Sequence, residues 1–126
     1  MKFAVTALGL VFAAALPAAA HHSGAMYDRA HPTTSEVVVK EFDWINPHSV
    51  LEVTTPAGSD LTIEMTSPGV LTRSGWTKRS LQTGDHIKLT YAPLRAGGPV
   101  GFFLQATNAK GEVLSYTFAA GEKPGI

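Results

Sequence analysis

Apolar and polar residues alternate along much of the chain, and this period of two predicts β-strands with one buried face. The clearest stretch places Leu61, Ile63 and Met65 between polar residues. A second predicted strand, residues 48–55, precedes it, and the turn-forming residues 56–59 lie between the two. The pattern therefore predicts a β-hairpin at this point.

Further apolar runs predict strands on both sides of the hairpin. One begins near Glu36, and three more contain Ile87, Phe102 and Val113. A single short helix, about residues 68–74, is predicted between the third and fourth strands, because Ser67-Pro68 is a typical helix start and Gly75 a typical stop.

The order of three strands, a short helix and three strands predicts the fold class. We expect a mainly β protein, a small partly closed antiparallel barrel of the oligonucleotide-binding type. An SH3-like barrel and an open β-sandwich are the alternatives that the same order leaves open.

The first twenty residues have the pattern of a cleavable signal peptide. Lys2 precedes an apolar run from Phe3 to Leu16, and the small residues Ala18 and Ala20 stand at the −3 and −1 positions of a cut after Ala20. The run is shorter than the ~20 residues that span a bilayer. We expect export to the periplasm and no stable membrane anchor after cleavage; a retained anchor or a buried helix is the alternative.

The mature chain then has the size of one domain. We predict that it consists of an extended N-terminal arm (residues 21–35), a β-barrel (36–120) and a flexible tail (121–126). Without Lys2 it has nine Lys and Arg against ten Asp and Glu. This balance gives no basic surface for nucleic acid, so we expect none as a partner. The chain has no cysteine, so thiolate ligands and disulfides are excluded.

Several short motifs together resemble a family of small exported bacterial proteins of unknown function. They are Ala20-His21-His22-Ser23, Trp44-Ile45-Asn46-Pro47-His48, Ser67-Pro68, Leu71-Thr72-Arg73-Ser74-Gly75-Trp76 and Leu81-Gln82-Thr83-Gly84-Asp85. The resemblance covers nearly the whole mature chain and implies a periplasmic β domain. It implies no activity, substrate or catalytic residue.

The predicted cut leaves His21 as the first residue, and its free amine and imidazole can chelate one metal ion. A third nitrogen, for which His48 is the best candidate, would complete a histidine brace, and nitrogen-rich tetragonal ligation favours copper. A cut before Ala20 would instead place His22 third, in a square-planar amine, amide and imidazole site. The alternative is that these histidines are polar residues tolerated beside a cleavage site.

His48 also has two carboxylates as predicted neighbours. Alternation places His48 and Glu52 on one face of their strand, opposite Leu51, and Glu64 faces the same side of the hairpin. Together they could bind a metal ion or act as acid and base. A solvated sheet face is the competing interpretation.

Trp44, Trp76 and Arg73 define a second function class, in which the barrel face around them binds an unknown periplasmic protein or a small ligand. The competing interpretation is that the two tryptophans close the ends of a small barrel. An enzyme ranks third, because no nucleophile is paired with His48, Glu52 or Glu64.

Overall fold

The computed structural model of the protein describes residues 24–117. The predicted signal peptide, His21, His22 and the predicted tail lie outside the described residues. A single 3-10 turn at Gly24–Met26 comes first. Within the described range, the predicted order of three strands, one helix and three strands is confirmed, with bounds β1 (Thr33–Asp43), β2 (Val50–Thr54), β3 (Asp60–Glu64), α1 (Pro68–Arg73), β4 (His86–Pro93), β5 (Val100–Thr107) and β6 (Val113–Leu114).

The strands form one sheet in the order β3-β2-β1-β4-β5-β6, and β3 also pairs with β5. This extra pairing closes the first five strands into a barrel, with β6 as an additional strand. The mainly β barrel with one short helix is thus confirmed. It differs from the expectation in being closed and mixed, because the crossover through α1 and β4 leaves β5 parallel to β3, with Glu64 beside Phe102.

The barrel interior is filled by every second residue of the strands, as the alternation predicts. Leu51 and Val53 of β2 and Ile63 of β3 are fully buried, and Met65 continues the same face. Trp76 and Phe103 pack edge to face across the interior, with ring centroids 5.5 Å apart. Because there is no disulfide, burial of this apolar surface is the main source of stability.

The helix begins and ends where its local sequence signals predict. The Ser67 hydroxyl accepts a hydrogen bond from the backbone N–H of Val70, and Pro68 is the first helical residue. Gly75 follows the helix with a φ of +86°, a conformation that favours glycine. The helix lies between β3 and β4, and its buried residues Val70 and Leu71 face the barrel.

Two loops are relevant to the candidate site. The β1–β2 loop, residues 44–49, contains a cis peptide bond between Asn46 and Pro47. The β4–β5 loop is residues 94–99. β1 starts at Thr33, three residues before the boundary predicted at Glu36, because Thr33 and Thr34 already pair with Tyr91 and Thr90 of β4. We call the residues before Thr33 the arm.

Candidate binding face

The outward surface of β2 and β3 is the candidate binding face. Ser49 and Leu51 are buried, whereas the alternate residues His48 and Glu52 are partly exposed, which places the latter two outside the barrel. Glu64 lies opposite Val50 in the same ladder. We call the surface formed by His48, Val50, Glu52, Thr62 and Glu64 the β2–β3 face. The structure therefore brings His48, Glu52 and Glu64 to one face, as the alternation predicts.

This face corresponds to the surface that binds ligands in other oligonucleotide-binding folds. In oligonucleotide-binding folds, ligands bind to strands 2 and 3 and to the β1–β2 and β4–β5 loops. His48 lies at the end of the β1–β2 loop, directly before β2. His48 therefore lies where the β1–β2 loop meets β2.

Both carboxylates of the face already have hydrogen-bond partners. The Thr62 hydroxyl lies within hydrogen-bond distance of both carboxylate oxygens of Glu52, at 2.9 and 3.0 Å. The Tyr27 hydroxyl donates to Oε2 of Glu64 at 2.5 Å. Among residues 24–117, no three histidine or carboxylate side chains are grouped closely enough to hold a metal ion. His48, Glu52 and Glu64 therefore share a face without forming a ligand set of their own.

The arm lies against the outside of the barrel next to this face. Tyr27 is only 3% exposed and belongs to a second apolar cluster with Ala92 and Phe102. The Tyr27 and Phe102 ring centroids are 5.5 Å apart. The backbone N–H of Asp28 donates to the Pro93 carbonyl at 2.8 Å, and that of Arg95 donates to the Met26 carbonyl at 2.9 Å. The arm is thus docked over the end of β4 and the β4–β5 loop.

Charged groups hold the same segment. The Arg95 side chain donates to the Ala25 carbonyl at 3.1 Å and lies 3.7 Å from the Asp28 carboxylate. The guanidinium of Arg29 lies over the Phe102 ring, 4.5 Å from its centroid. The hydrogen bond with His31 holds the pKa of the Asp28 carboxyl below its usual value.

Burial raises the pKa of the Tyr27 hydroxyl, and the hydrogen bond to the Glu64 carboxylate and its charge raise it further. The phenol is consequently protonated throughout the neutral range. It acts as a donor to the carboxylate, so the contact is a charge-assisted hydrogen bond, the stronger kind.

The other predicted site residues have different surroundings. Trp76 is 4% exposed, and its indole N–H donates to the Ser115 carbonyl at 2.7 Å, so its ring is part of the core. Trp44 is partly buried and packs edge to face on Phe42. Arg73 is exposed in the last turn of α1. Trp44 and Arg73 are thus accessible to a partner, whereas the ring of Trp76 is not.

Among residues 24–117, two of the surface concavities have linings that do not include His48. One, of about 420 Å³, is lined by polar side chains that include Arg79, Asp85, His86 and Glu112. The other, of about 520 Å³, lies over Val38, Thr54 and Pro56 on the outside of β1 and β2. Neither includes His48 or Glu64.

Sequence reasoning predicted the arm but not how it is held. The anchoring residues Tyr27 and Arg95 are 68 positions apart, and neither belongs to a recognisable motif. The available signal was the pair Met26-Tyr27, two large apolar side chains in a segment otherwise made of small and polar residues. Such a pair indicates a local packing contact rather than a solvated arm.

The fold and the docked arm define a class: a small barrel of the oligonucleotide-binding type whose N-terminal segment covers part of its own outer surface. A family model matches residues 9–105, and the chain belongs to that family, the family of unknown function DUF6152. No curated protein and no solved structure matches the chain. Within residues 24–117, no helix is long and apolar enough to cross a membrane.

Proposed function

We propose that this protein is an exported, periplasmic copper-binding protein. In this proposal the signal peptide is cut after Ala20, and His21, His22 and His48 supply the nitrogen ligands. Amine and imidazole nitrogens suit Cu(II), which also binds most tightly among the divalent first-row ions.

The docked arm is the observation that carries the proposal. The Tyr27–Glu64 hydrogen bond joins the arm to the face that contains His48. His21 is three positions before Gly24, and three residues span at most about 10 Å. The new terminus would therefore be tethered by a short segment to a part of the arm that is docked on the barrel.

Copper titration of correctly processed protein is the test. We expect sub-micromolar Cu(II) affinity by competition calorimetry, reduced at least about tenfold, or about 1.4 kcal/mol, by His21→Ala or His48→Ala. A form that retains an extra N-terminal Met should lose affinity to the same extent, because its amine no longer belongs to His21. Intact native mass of the periplasmic protein would report the cleavage site and the bound metal together.

His86→Ala is the matched control. His86 is an exposed histidine at the start of β4, so its removal should leave the affinity unchanged. Equal, weak binding by all of these forms would contradict the proposal.

A second candidate function is binding of a protein or small ligand at the β1–β2 loop. Ile45 is 52% exposed beside Trp44 in this loop, a large apolar side chain at a position where the fold binds ligands. On this alternative, Ile45→Ser would abolish capture of a periplasmic partner, and deletion of residues 21–23 would leave it intact. On the copper proposal, by contrast, deletion of residues 21–23 should lower the Cu(II) affinity and Ile45→Ser should leave it unchanged.

A further inference from the structure

We infer that the polar concavity between the α1–β4 loop and the β5–β6 turn is a binding site for a small organic acid with one carboxylate. The α1–β4 loop is residues 74–85, and the β5–β6 turn is residues 108–112. The concavity has a volume of about 420 Å³, which is within the range of small-molecule sites. It shares no lining residue with the β2–β3 face, and the inference does not depend on copper binding.

Local hydrogen bonds shape both walls of the concavity. In the α1–β4 loop, the Asp85 carboxylate accepts from the backbone N–H of Gln82 at 2.8 Å. In the β5–β6 turn, the side-chain oxygen of Asn108 accepts from the backbone N–H groups of Lys110 and Glu112, both at 3.0 Å. The walls are therefore formed by the chain itself, and a ligand would not have to order them.

The two cations of the lining are not used by the protein. Within residues 24–117, the side chains of Arg79 and Lys110 have no hydrogen-bond or ion-pair partner. The carboxylates, by contrast, already accept hydrogen bonds: Asp85 within its own loop, and Glu112 from the Asn108 side-chain amide at 2.7 Å. The unused charged groups are therefore donors, which suit a carboxylate, and arginine binds a carboxylate through two parallel hydrogen bonds.

The charges of the lining favour a ligand with a single negative charge. Besides His86, the ionisable side chains of the lining carry two charges of each sign; they are Arg79, Lys110, Asp85 and Glu112. The two carboxylates would repel a ligand with several negative charges. Hydroxyl groups on the ligand suit them instead, because an ionised carboxylate accepts several hydrogen bonds. We therefore expect a hydroxylated monocarboxylate.

Gluconate is the probe, because it has one carboxylate and several hydroxyl groups. We expect its titration into the purified protein, followed by amide chemical shifts in two-dimensional NMR, to move the resonances of residues 79–86 and 108–114 and to saturate at millimolar concentrations or below. Glucose is of similar size but lacks the carboxylate and should produce no saturable shift. Inorganic phosphate should bind more weakly than gluconate.

Four single variants test the named side chains, all of which are exposed, so each variant should keep the wild-type circular dichroism spectrum. Arg79→Ala and Lys110→Ala each remove a charged donor and should lower the gluconate affinity about tenfold. Lys78→Ala is the matched control: Lys78 is an exposed cation next to Arg79 that does not line the concavity, and its loss should change the affinity less than about twofold. Glu112→Gln keeps an acceptor for Asn108 but removes one repelling charge, so it should raise the gluconate affinity.

The possible results divide clearly. Site-specific shifts, loss of affinity in Arg79→Ala and Lys110→Ala, and little change in Lys78→Ala would support the inference. Equal losses in Arg79→Ala and Lys78→Ala would show attraction by overall charge only and would overturn it. Absence of a saturable gluconate shift at residues 79–86 and 108–114, or tighter binding of phosphate or glucose than of gluconate, would overturn it as well.

Discussion

At the scale of single residues, the two tryptophans show how similar sequence contexts lead to different surroundings. Each lies at the edge of a predicted element and was a candidate for ligand stacking. Trp76 contacts Phe42, Phe103 and Tyr116 in the interior and satisfies its indole N–H on a backbone carbonyl. Trp44 contacts Phe42 and is partly exposed. Replacing each tryptophan by alanine should therefore lower the free energy of unfolding by a different amount.

Trp76→Ala should lower the free energy of unfolding by about 3–5 kcal/mol, because it leaves a large cavity and an unpaired Ser115 carbonyl. Trp44→Ala is the comparison and should lower the free energy of unfolding clearly less, since Trp44 is only partly buried. Urea unfolding followed by circular dichroism measures both. An equal cost for the two variants would contradict the assignment of Trp76 to the core.

At the scale of elements, the cross-strand pairs of β1 have opposite electrostatic character at its two ends. Glu36 lies opposite Lys88 of β4, and the pair is favourable. Glu41 lies opposite Glu52 of β2, a like-charge pair that weakens the strand pairing. The carboxylate of Glu52 belongs to the β2–β3 face, so this repulsion is located beside the proposed site.

Glu41→Lys should raise the free energy of unfolding by about 0.2–1 kcal/mol at low salt, because it replaces repulsion by attraction. The gain should shrink in about 1 M salt, where exposed charges are screened. Glu36→Lys is the mirror control: it creates a like-charge pair with Lys88 and should destabilise the protein to a similar extent. Urea unfolding at both salt concentrations would test the pair. An increase in the free energy of unfolding that is the same at low and high salt would contradict this account.

At the scale of the whole molecule, the buried Tyr27 and the partly buried Tyr116 make the stability of the protein depend on pH. Burial raises the pKa of Tyr116, which packs on Phe103, and also that of Tyr27 in the docked arm. In the unfolded chain a tyrosine ionises near pH 10. The stabilisation from keeping both phenols neutral is therefore complete below about pH 10 and is lost as the pH rises toward the raised values of the folded protein.

The free energy of unfolding should consequently decline above about pH 10, when the unfolded chain begins to lose tyrosine protons that the folded protein retains. A protein with both Tyr27→Phe and Tyr116→Phe should decline less steeply over the same range, since these two protons are gone from both states. Urea unfolding between about pH 8 and pH 11 measures both slopes. Identical slopes would show that other groups control alkaline stability.

Local physical rules explain most of what could be predicted from the chain. Alternation fixed the buried face of β2 and β3, because a side-chain period of two holds whatever the strand packs against. Ser67, Pro68 and Gly75 fixed the ends of α1, because capping acts within a single turn. The common face of His48, Glu52 and Glu64 followed from the same alternation and from one hairpin. Signal-peptide cleavage and copper ligation at His21 stay predictions.

Tertiary structure alone decided the rest. The parallel pairing of β3 with β5, which closes the barrel, depends on where a distant strand returns, and alternation carries no information about it. The burial of Trp76 and the docking of Tyr27 on Glu64 likewise depend on contacts between residues 27 or more positions apart. Such contacts form only when the whole apolar surface is buried at once, so no short window of the sequence contains them.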